Sequence, residues 1–387
     1  MPSDANSPGP EIGPIDEMFT AIEPETLKTT PLDALHRALG AQMVPFAGYE
    51  MPVRYPAGVM AEHLHCRAAA SLFDVSHMGQ ASLHGEGATA ALERLAPSDI
   101  AALAPMRQRY TLLTNELGGI LDDLMVARLR DRLFLVVNSS RKDADYRHIM
   151  GHLPEGVSLE PHEDRALLAL QGPAAAAVFA RLAQGDALGF MGVAEMAVAD
   201  VPCLVSRSGY TGEDGFEISV PAARAEELAR ALLGEPEVKP AGLGARDSLR
   251  LEAGLCLYGQ DIDELTTPIE AGLGWVMNKR RREEGGFLGE VVIRDQLKIG
   301  SARVRVGIRP DSRALARAQT EMIAADGTRA GNITSGGFSP SLGGPIAMGY
   351  VRRDLAVEGT ALDLVVRGQH VPGRVAKLPF VPHRYIR

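Results

Sequence analysis

Apolar and polar positions divide the chain into strand and helix candidates. Leu32, Leu35 and Leu39 recur at helical spacing and predict a helix over residues 31–45. From about residue 100 to 220, strand-like runs alternate with Ala-rich helical segments such as PAAAAVFARLA. The stretch GGILDDLMVARLRDRLFLVVN, Gly118 to Asn138, reads as a hairpin: two apolar runs around a charged turn at Arg130-Asp131-Arg132. SRSGYTGEDGFEISV has the punctuation of a second hairpin, turning at Gly212-Glu213-Asp214-Gly215. GLGARDSLRLEAGL reads as a loop entering a helix, and KRRREEGG, from Lys279, as a solvated linker. Beyond about residue 300, short runs (RVRVGI, ALDLVV, HVPGRVA) between Gly- and Pro-rich turns predict a β-barrel or jelly-roll domain. The fold class is α+β. The expected divisions are a disordered leader over 1–30, a core of two interleaved α+β domains over 31–285, and a C-terminal β-barrel over 300–385.

Composition narrows the function. The 387 residues exceed one ordinary core, and a net charge of −9 argues against a nucleic-acid binder. No run of about 18 apolar residues is present to span a membrane. Three cysteines, Cys66, Cys203 and Cys256, without a C-x-x-C, fit a reducing compartment. The first thirty residues are rich in Pro, Ser and acids and contain no arginine, unlike a mitochondrial transit peptide. A bacterial cytoplasm is the expected location.

Two adjacent carboxylates, Asp122 and Asp123, interrupt the first apolar run of the Gly118–Asn138 hairpin. Asp is depleted in strands and costly to bury without partners, so the pair needs a reason. Alternate strand residues share a face. Asp123 shares its face with Leu121, Met125, Ala127 and Leu129, all apolar, and is the expected inward acid. Asp122 lies with Ile120, Leu124, Val126 and Arg128, a face that ends in a charge, so it is expected near solvent or a backbone donor. Glu217 stands opposite Phe216, Ile218 and Val220, which on pattern alone reads first as a solvent-facing Glu on a half-buried strand. Arg246 at a helix entry reads, by itself, first as a surface cation. EHLHC (His63, His65, Cys66) lacks a second ligand cluster, so no metal is expected. GEGATA, from Gly85, matches the dinucleotide fingerprint weakly, without a clear acid about 20 residues on.

Longer strings are more specific. MVPFAGYEMPVRY, SLFDVSHMGQ, GGILDDLMV, SRSGYTGEDGFEISVP, GLGARDSLRLEAGLCLYGQDID, TTPIEAGLGW and SGGFSPSLGGPIAMGYV together resemble the T proteins of the glycine cleavage system, the aminomethyltransferases. The resemblance runs from about Pro31 to the C-terminus. It implies a three-domain cloverleaf around a central folate site. It also implies transfer of a one-carbon unit from the aminomethyl-lipoyl arm of H protein to tetrahydrofolate, giving 5,10-methylenetetrahydrofolate and ammonia. The implied catalytic acid is Asp123. Glu217 is implied to hold the pterin, with Arg246 and Tyr385 as further folate contacts and Met78, Tyr110 and Tyr210 as pocket walls. A departure falls at Asp33, where many relatives carry an aromatic residue after Pro-Leu, near the entrance used by H protein.

Two rivals share the fold. One is a tetrahydrofolate-dependent demethylase. The other is a non-catalytic folate-binding iron–sulfur assembly factor, whose K-G-C-[FY]-x-G-Q-E signature is replaced here by GLCLYGQDID. A nicotinamide dehydrogenase resting on GEGATA is a more distant reading.

Overall fold

The computed structural model describes residues 27–185 and 187–386. Residues 1–26 of the expected leader lie outside the described residues. The Gly118–Asn138 hairpin forms as expected: Ile120–Arg128 pairs antiparallel with Leu133–Val137. These two strands belong to a five-stranded antiparallel sheet in the order Arg107–Thr114, Ile120–Arg128, Leu133–Val137, Gly79–His84, Ser158–Pro161. Its helix-covered face packs Leu83, Leu124, Val126 and Leu135 against Leu92 and Ile149 of the helices Ala88–Leu95 and Lys142–Met150.

A second sheet has seven strands, in the order Ala183–Gln184, Val193–Val198, Val201–Ser206, Gly215–Pro221, Arg165–Gln171, Ala70–Asp74, Val238–Pro240. The chain enters this sheet at Ala70–Asp74, leaves to build the five-stranded sheet, and returns at Arg165–Gln171. Leu168, Leu170, Phe216 and Ile218 pack one face against Val178, Phe179, Leu228 and Leu232 of its two helices. The opposite face looks toward the five-stranded sheet. Ala127 and Phe134 from one sheet meet Val193 and Leu204 from the other. The C-terminal strands close a six-stranded barrel, with Gln369–Ala376 pairing back onto Arg303–Pro310.

Two expectations fail locally. The helix expected over 31–45 covers only Asp33–Ala38, and Gln42–Phe46 is a strand. Gly40 turns the chain at φ 74°, a conformation that ends helices, and Pro45 cannot continue one. KRRR is not a solvated linker but the start of the helix Lys279–Glu284, capped by the Asn278 side chain. Arg280 pairs with Glu93 at 2.5 Å and Asp99 at 2.6 Å, and these bonds hold Asp99 well below the usual carboxylate range. Arg281 is buried and donates to the Gly285 and Ala96 carbonyls. Two buried acids thus recruit what reads in sequence as a surface charge run.

A buried ion network fastens the barrel to the rest. Arg67, on the helix Val59–Ala68, donates to Glu213 at 2.6 Å and to Glu252 at 2.8 Å. Glu252 also accepts from the Ser339 and Ser341 hydroxyls at 2.5 and 2.7 Å, and Arg384 reaches Glu213 at 2.5 Å. Removing one partner strands buried charges. Arg67→Ala is therefore expected to lower stability by about 3–5 kcal/mol, read from the urea midpoint. A change within experimental error would mean that the network is not what holds these elements together.

Candidate active site

Asp123 and Glu217 lie on the sides of the two sheets that face each other. Along Ile120–Arg128, Asp122, Leu124 and Val126 point to the helix-covered core, and Asp123, Met125 and Ala127 point the other way. On the seven-stranded sheet, Glu217 opposes Ala169 and Ser219 opposes Leu167, all on the face away from the helices. A small cavity between the sheets is lined by Gln108, Met125, Val136, Leu167, Ser206 and Glu217. The expected inward placement of Asp123 agrees with this arrangement. The expectation that Asp122 lies near solvent does not: Asp122 is 0 % exposed. This sheet is covered on both faces, and Arg128 ends the row by reaching the Ile100 carbonyl at 2.9 Å rather than water.

Asp122 does meet a backbone donor. It accepts from the Asn138 N–H at 3.1 Å and from Asn138 Nδ2 at 2.9 Å. Asn138 Nδ2 also donates to Asp123 Oδ1 at 2.8 Å, so one amide is shared by both acids. The Tyr110 hydroxyl donates to Asp123 Oδ2 at 3.1 Å. Asp123 is half-buried. That desolvation, with the neighbouring Asp122 charge, pushes its carboxyl up to about 7, against the opposing hydrogen bonds. Asp145 is pushed up to about 10, first by burial and then by Asp122.

Both shifts are upward, so the native protein keeps protons that the unfolded chain releases near pH 4. The stability these groups contribute is present at acidic pH. It is lost progressively as pH rises from about 4 through the folded values of about 7 and about 10. Urea midpoints should fall from mildly acidic to alkaline pH. A midpoint that rises over that window would contradict the burial of these acids.

Glu217 is half-buried and accepts from the Ser208 hydroxyl at 3.1 Å. Arg246 lies in the helix Leu243–Glu252, its guanidinium 4.8 Å from the centre of the Tyr210 ring. Burial lowers its pKa against the pull of Glu217, which marks the two as neighbours. Its Nη1 is buried and has no hydrogen-bond partner among the described residues. A surface cation would not be left so, because an unpaired buried donor costs about 1–3 kcal/mol. Tyr210 is anchored through its hydroxyl to the Cys256 carbonyl.

Met78 packs beside Val136 onto the cluster that contains Leu167 and Ala245, at the edge of the gap. Tyr385 stacks on Phe190 at 4.6 Å, near the Arg67–Glu213 pair. Among the described residues no hydrogen bond joins it to Asp123 or Glu217. The structure therefore brings together Asp123, Tyr110, Glu217, Arg246 and Tyr210, with Met78 at the border and Tyr385 farther along the tail.

Sequence reasoning missed Asn138, Gln108 and Trp275. Asn138 closes an apolar strand, where an Asn reads as a turn residue. Gln108 alternates correctly but carries no sign of its role: its Nε2 is buried in the gap without a partner. Trp275 is 62 % exposed and stacks on Tyr110 at 5.6 Å. The other motifs resolve into structure. His63 meets Ser248 and Glu252, His65 the Glu237 carbonyl, and Cys66 the Gln171 carbonyl, so the EHLHC side chains diverge. GEGATA does join a strand to a helix. However, a Cβ at Gly85 would fall 2.3 Å from the Gly156 carbonyl, so its close approach serves a neighbouring loop.

Comparisons with known proteins show the family. The GCVT N-terminal domain family matches residues 32–281, and the glycine cleavage T-protein C-terminal barrel domain family matches residues 303–382. The chain is 50% identical to the mitochondrial aminomethyltransferase of Gallus gallus, over 94% of this chain and 94% of that protein. It is 48% identical to that of Solanum tuberosum, over 93% and 91%. The crystal structure of glycine cleavage system aminomethyltransferase T from Bartonella henselae superposes with a TM-score of 0.89 at 46% identity, covering 94% of this chain and all of that one. Both lobes and the barrel are thus accounted for, and the chain belongs to the glycine cleavage T-protein family.

Proposed function

We propose that the protein moves a one-carbon unit from the aminomethyl group on the lipoyl arm of H protein to tetrahydrofolate, the acceptor substrate. The products are 5,10-methylenetetrahydrofolate, ammonia and dihydrolipoyl H protein. The observation that carries this reading is the placement of Asp123 and Glu217 on facing sheets, with Tyr210 neighbouring both Asp123 and Arg246, whose Nη1 lacks a partner among the described residues. A pterin fits those groups. Its 2-amino group and ring N–H are donors for the Glu217 carboxylate, and its oxygen-bearing parts are acceptors for Arg246 and Gln108.

In this reading Glu217 sets the ring orientation and Ser208 holds Glu217. Asp123 lies where the folate nitrogens and the transferred carbon meet. Its ionised form stabilises the cationic carbon left as ammonia departs and takes the proton released when the first folate nitrogen bonds to it; the carbon–sulfur bond then breaks, the second folate nitrogen closes the ring, and the lipoyl sulfur leaves as a thiolate that takes up a proton. Holding the two reactants in one water-poor gap supplies the rest of the acceleration. The rate should therefore rise with pH along a limb near pH 7, the value of about 7 to which Asp123 is pushed. A pH-independent rate across that range would remove Asp123 from the proton step.

The deciding experiment measures ammonia release from aminomethylated H protein with and without tetrahydrofolate. Strong folate dependence, with methylenetetrahydrofolate formed in step, supports the reading. Tight folate binding without release would favour the demethylase. Among the described residues no helix is long and apolar enough to cross a membrane. The same reading places the protein in a bacterial cytoplasm, on the acid-rich composition of residues 1–30; the curated relatives named above are mitochondrial proteins.

A further inference from the structure

A third acid stands behind the Asp122–Asp123 pair. Asp145 lies on the helix Lys142–Met150, is 1 % exposed, and faces Asp122 at hydrogen-bond range. Asp145 Oδ2 is buried and meets no N–H or O–H donor among the described residues. Two carboxyl groups facing each other in a dry core cannot both be ionised, so a proton must lie between them. Asp122 already accepts two N–H bonds from Asn138, whereas Asp145 accepts none on that oxygen. The charge therefore belongs on Asp122 and the proton on Asp145.

The remaining neighbours do not reverse this. Arg141, one turn earlier on the same side, is committed elsewhere: it donates to the Leu121 carbonyl at 3.1 Å and to Glu264 at 2.8 Å, and lies over the Tyr258 ring. Burial keeps the neighbouring Tyr258 and Tyr146 hydroxyls protonated, so neither adds a charge beside Asp145. Asp123, on the strand below, adds only negative charge.

We infer that Asp145 is a positioning residue, an acid that keeps its proton where Asp123 works, donates to Asp122 and so fixes both the Asn138 amide and the single negative charge placed behind Asp123. The inference rests on the reading that Asp123 performs the proton step. With the proton held by Asp145, Asp122 stays charged, Asn138 stays turned so that Nδ2 spans both acids, and Asp123 stays poised near neutrality. Without that donor, Asp122 takes the proton itself. The charge behind Asp123 then disappears, and Asp123 ionises at lower pH.

Two substitutions separate the possibilities in the full-length protein. Asp145→Asn keeps a neutral donor and should leave the pH limb of the rate where the wild type has it. Asp145→Leu removes the donor and should move the limb down by about 1 pH unit or more. Infrared difference spectra supply a readout independent of turnover and of folding losses in the Leu variant. At about pH 8, between the values of about 7 and about 10, the wild type should show the C=O stretch of one protonated carboxyl that Asp145→Asn lacks. A limb unmoved by both variants would reduce Asp145 to packing. A limb moved equally by both, or no lost band, would mean that Asp145 is an anion and overturn the inference. Failure of folate-dependent turnover in the wild type would instead reject the proposed reaction and leave the infrared result standing.

Discussion

Asp123→Asn should lower kcat by about 10²- to 10⁴-fold while tetrahydrofolate binds nearly as before. The substitution is close to isosteric. An Asn oxygen can still accept from the Tyr110 hydroxyl or from Asn138 Nδ2, the two partners at 3.1 and 2.8 Å in the native site. What disappears is the charge that opposes the cationic carbon and the base that takes a proton. Affinity should survive if, as proposed, the ring is oriented by Glu217, which stands on the other sheet. Single-turnover rates with aminomethylated H protein, set beside folate titrations, separate the two effects. Turnover within a few-fold of wild type would remove Asp123 from the chemistry. A large loss of affinity would make it a binding group instead.

The second large effect falls on binding. Glu217→Gln should weaken tetrahydrofolate binding by about 10- to 100-fold, since a charge-assisted hydrogen bond contributes about 1.5–3 kcal/mol. The side chain keeps its length, and Ser208 still meets it, so the wall is preserved. The replacement turns one of two acceptors into a donor that faces the donor edge of the pterin. At saturating folate kcat should change far less than KM, because the proposed chemistry is carried by Asp123 and not by Glu217. Calorimetric titration gives the affinity directly. An unchanged affinity would show that the pterin is oriented by another group, with Arg246 and Gln108 the next to test.

Much of this site is legible in the residues, although in unequal parts. The two acids are visible because carboxylates are out of place in an apolar strand. Alternation correctly separates Asp123 from Asp122, yet it misassigns what each face meets. A strand has two faces, and nothing in its own period says what covers either of them. Here helices cover one face and a second sheet the other, so the face ending in Arg128 is as dry as its opposite. Arg246 suffers the same ambiguity at a helix entry. Its bare Nη1 comes from packing between the helix and Tyr210, which no local pattern encodes.

By itself the sequence determined the strands and helices that carry strong periodicity, the C-terminal barrel, and the acid that faces the gap. It did so because these depend on neighbours two to four positions away. Only the tertiary structure decided that Asn138 links Asp122 to Asp123, that Asp145 stands behind them, and that the Gln108 amide opens into the same gap as Glu217. It also turned KRRR from a linker into a buried clamp on Glu93 and Asp99. Those outcomes depend on which elements pack together. Partners as far apart as Arg280 and Glu93 meet only after the sheets and helices have settled on one another.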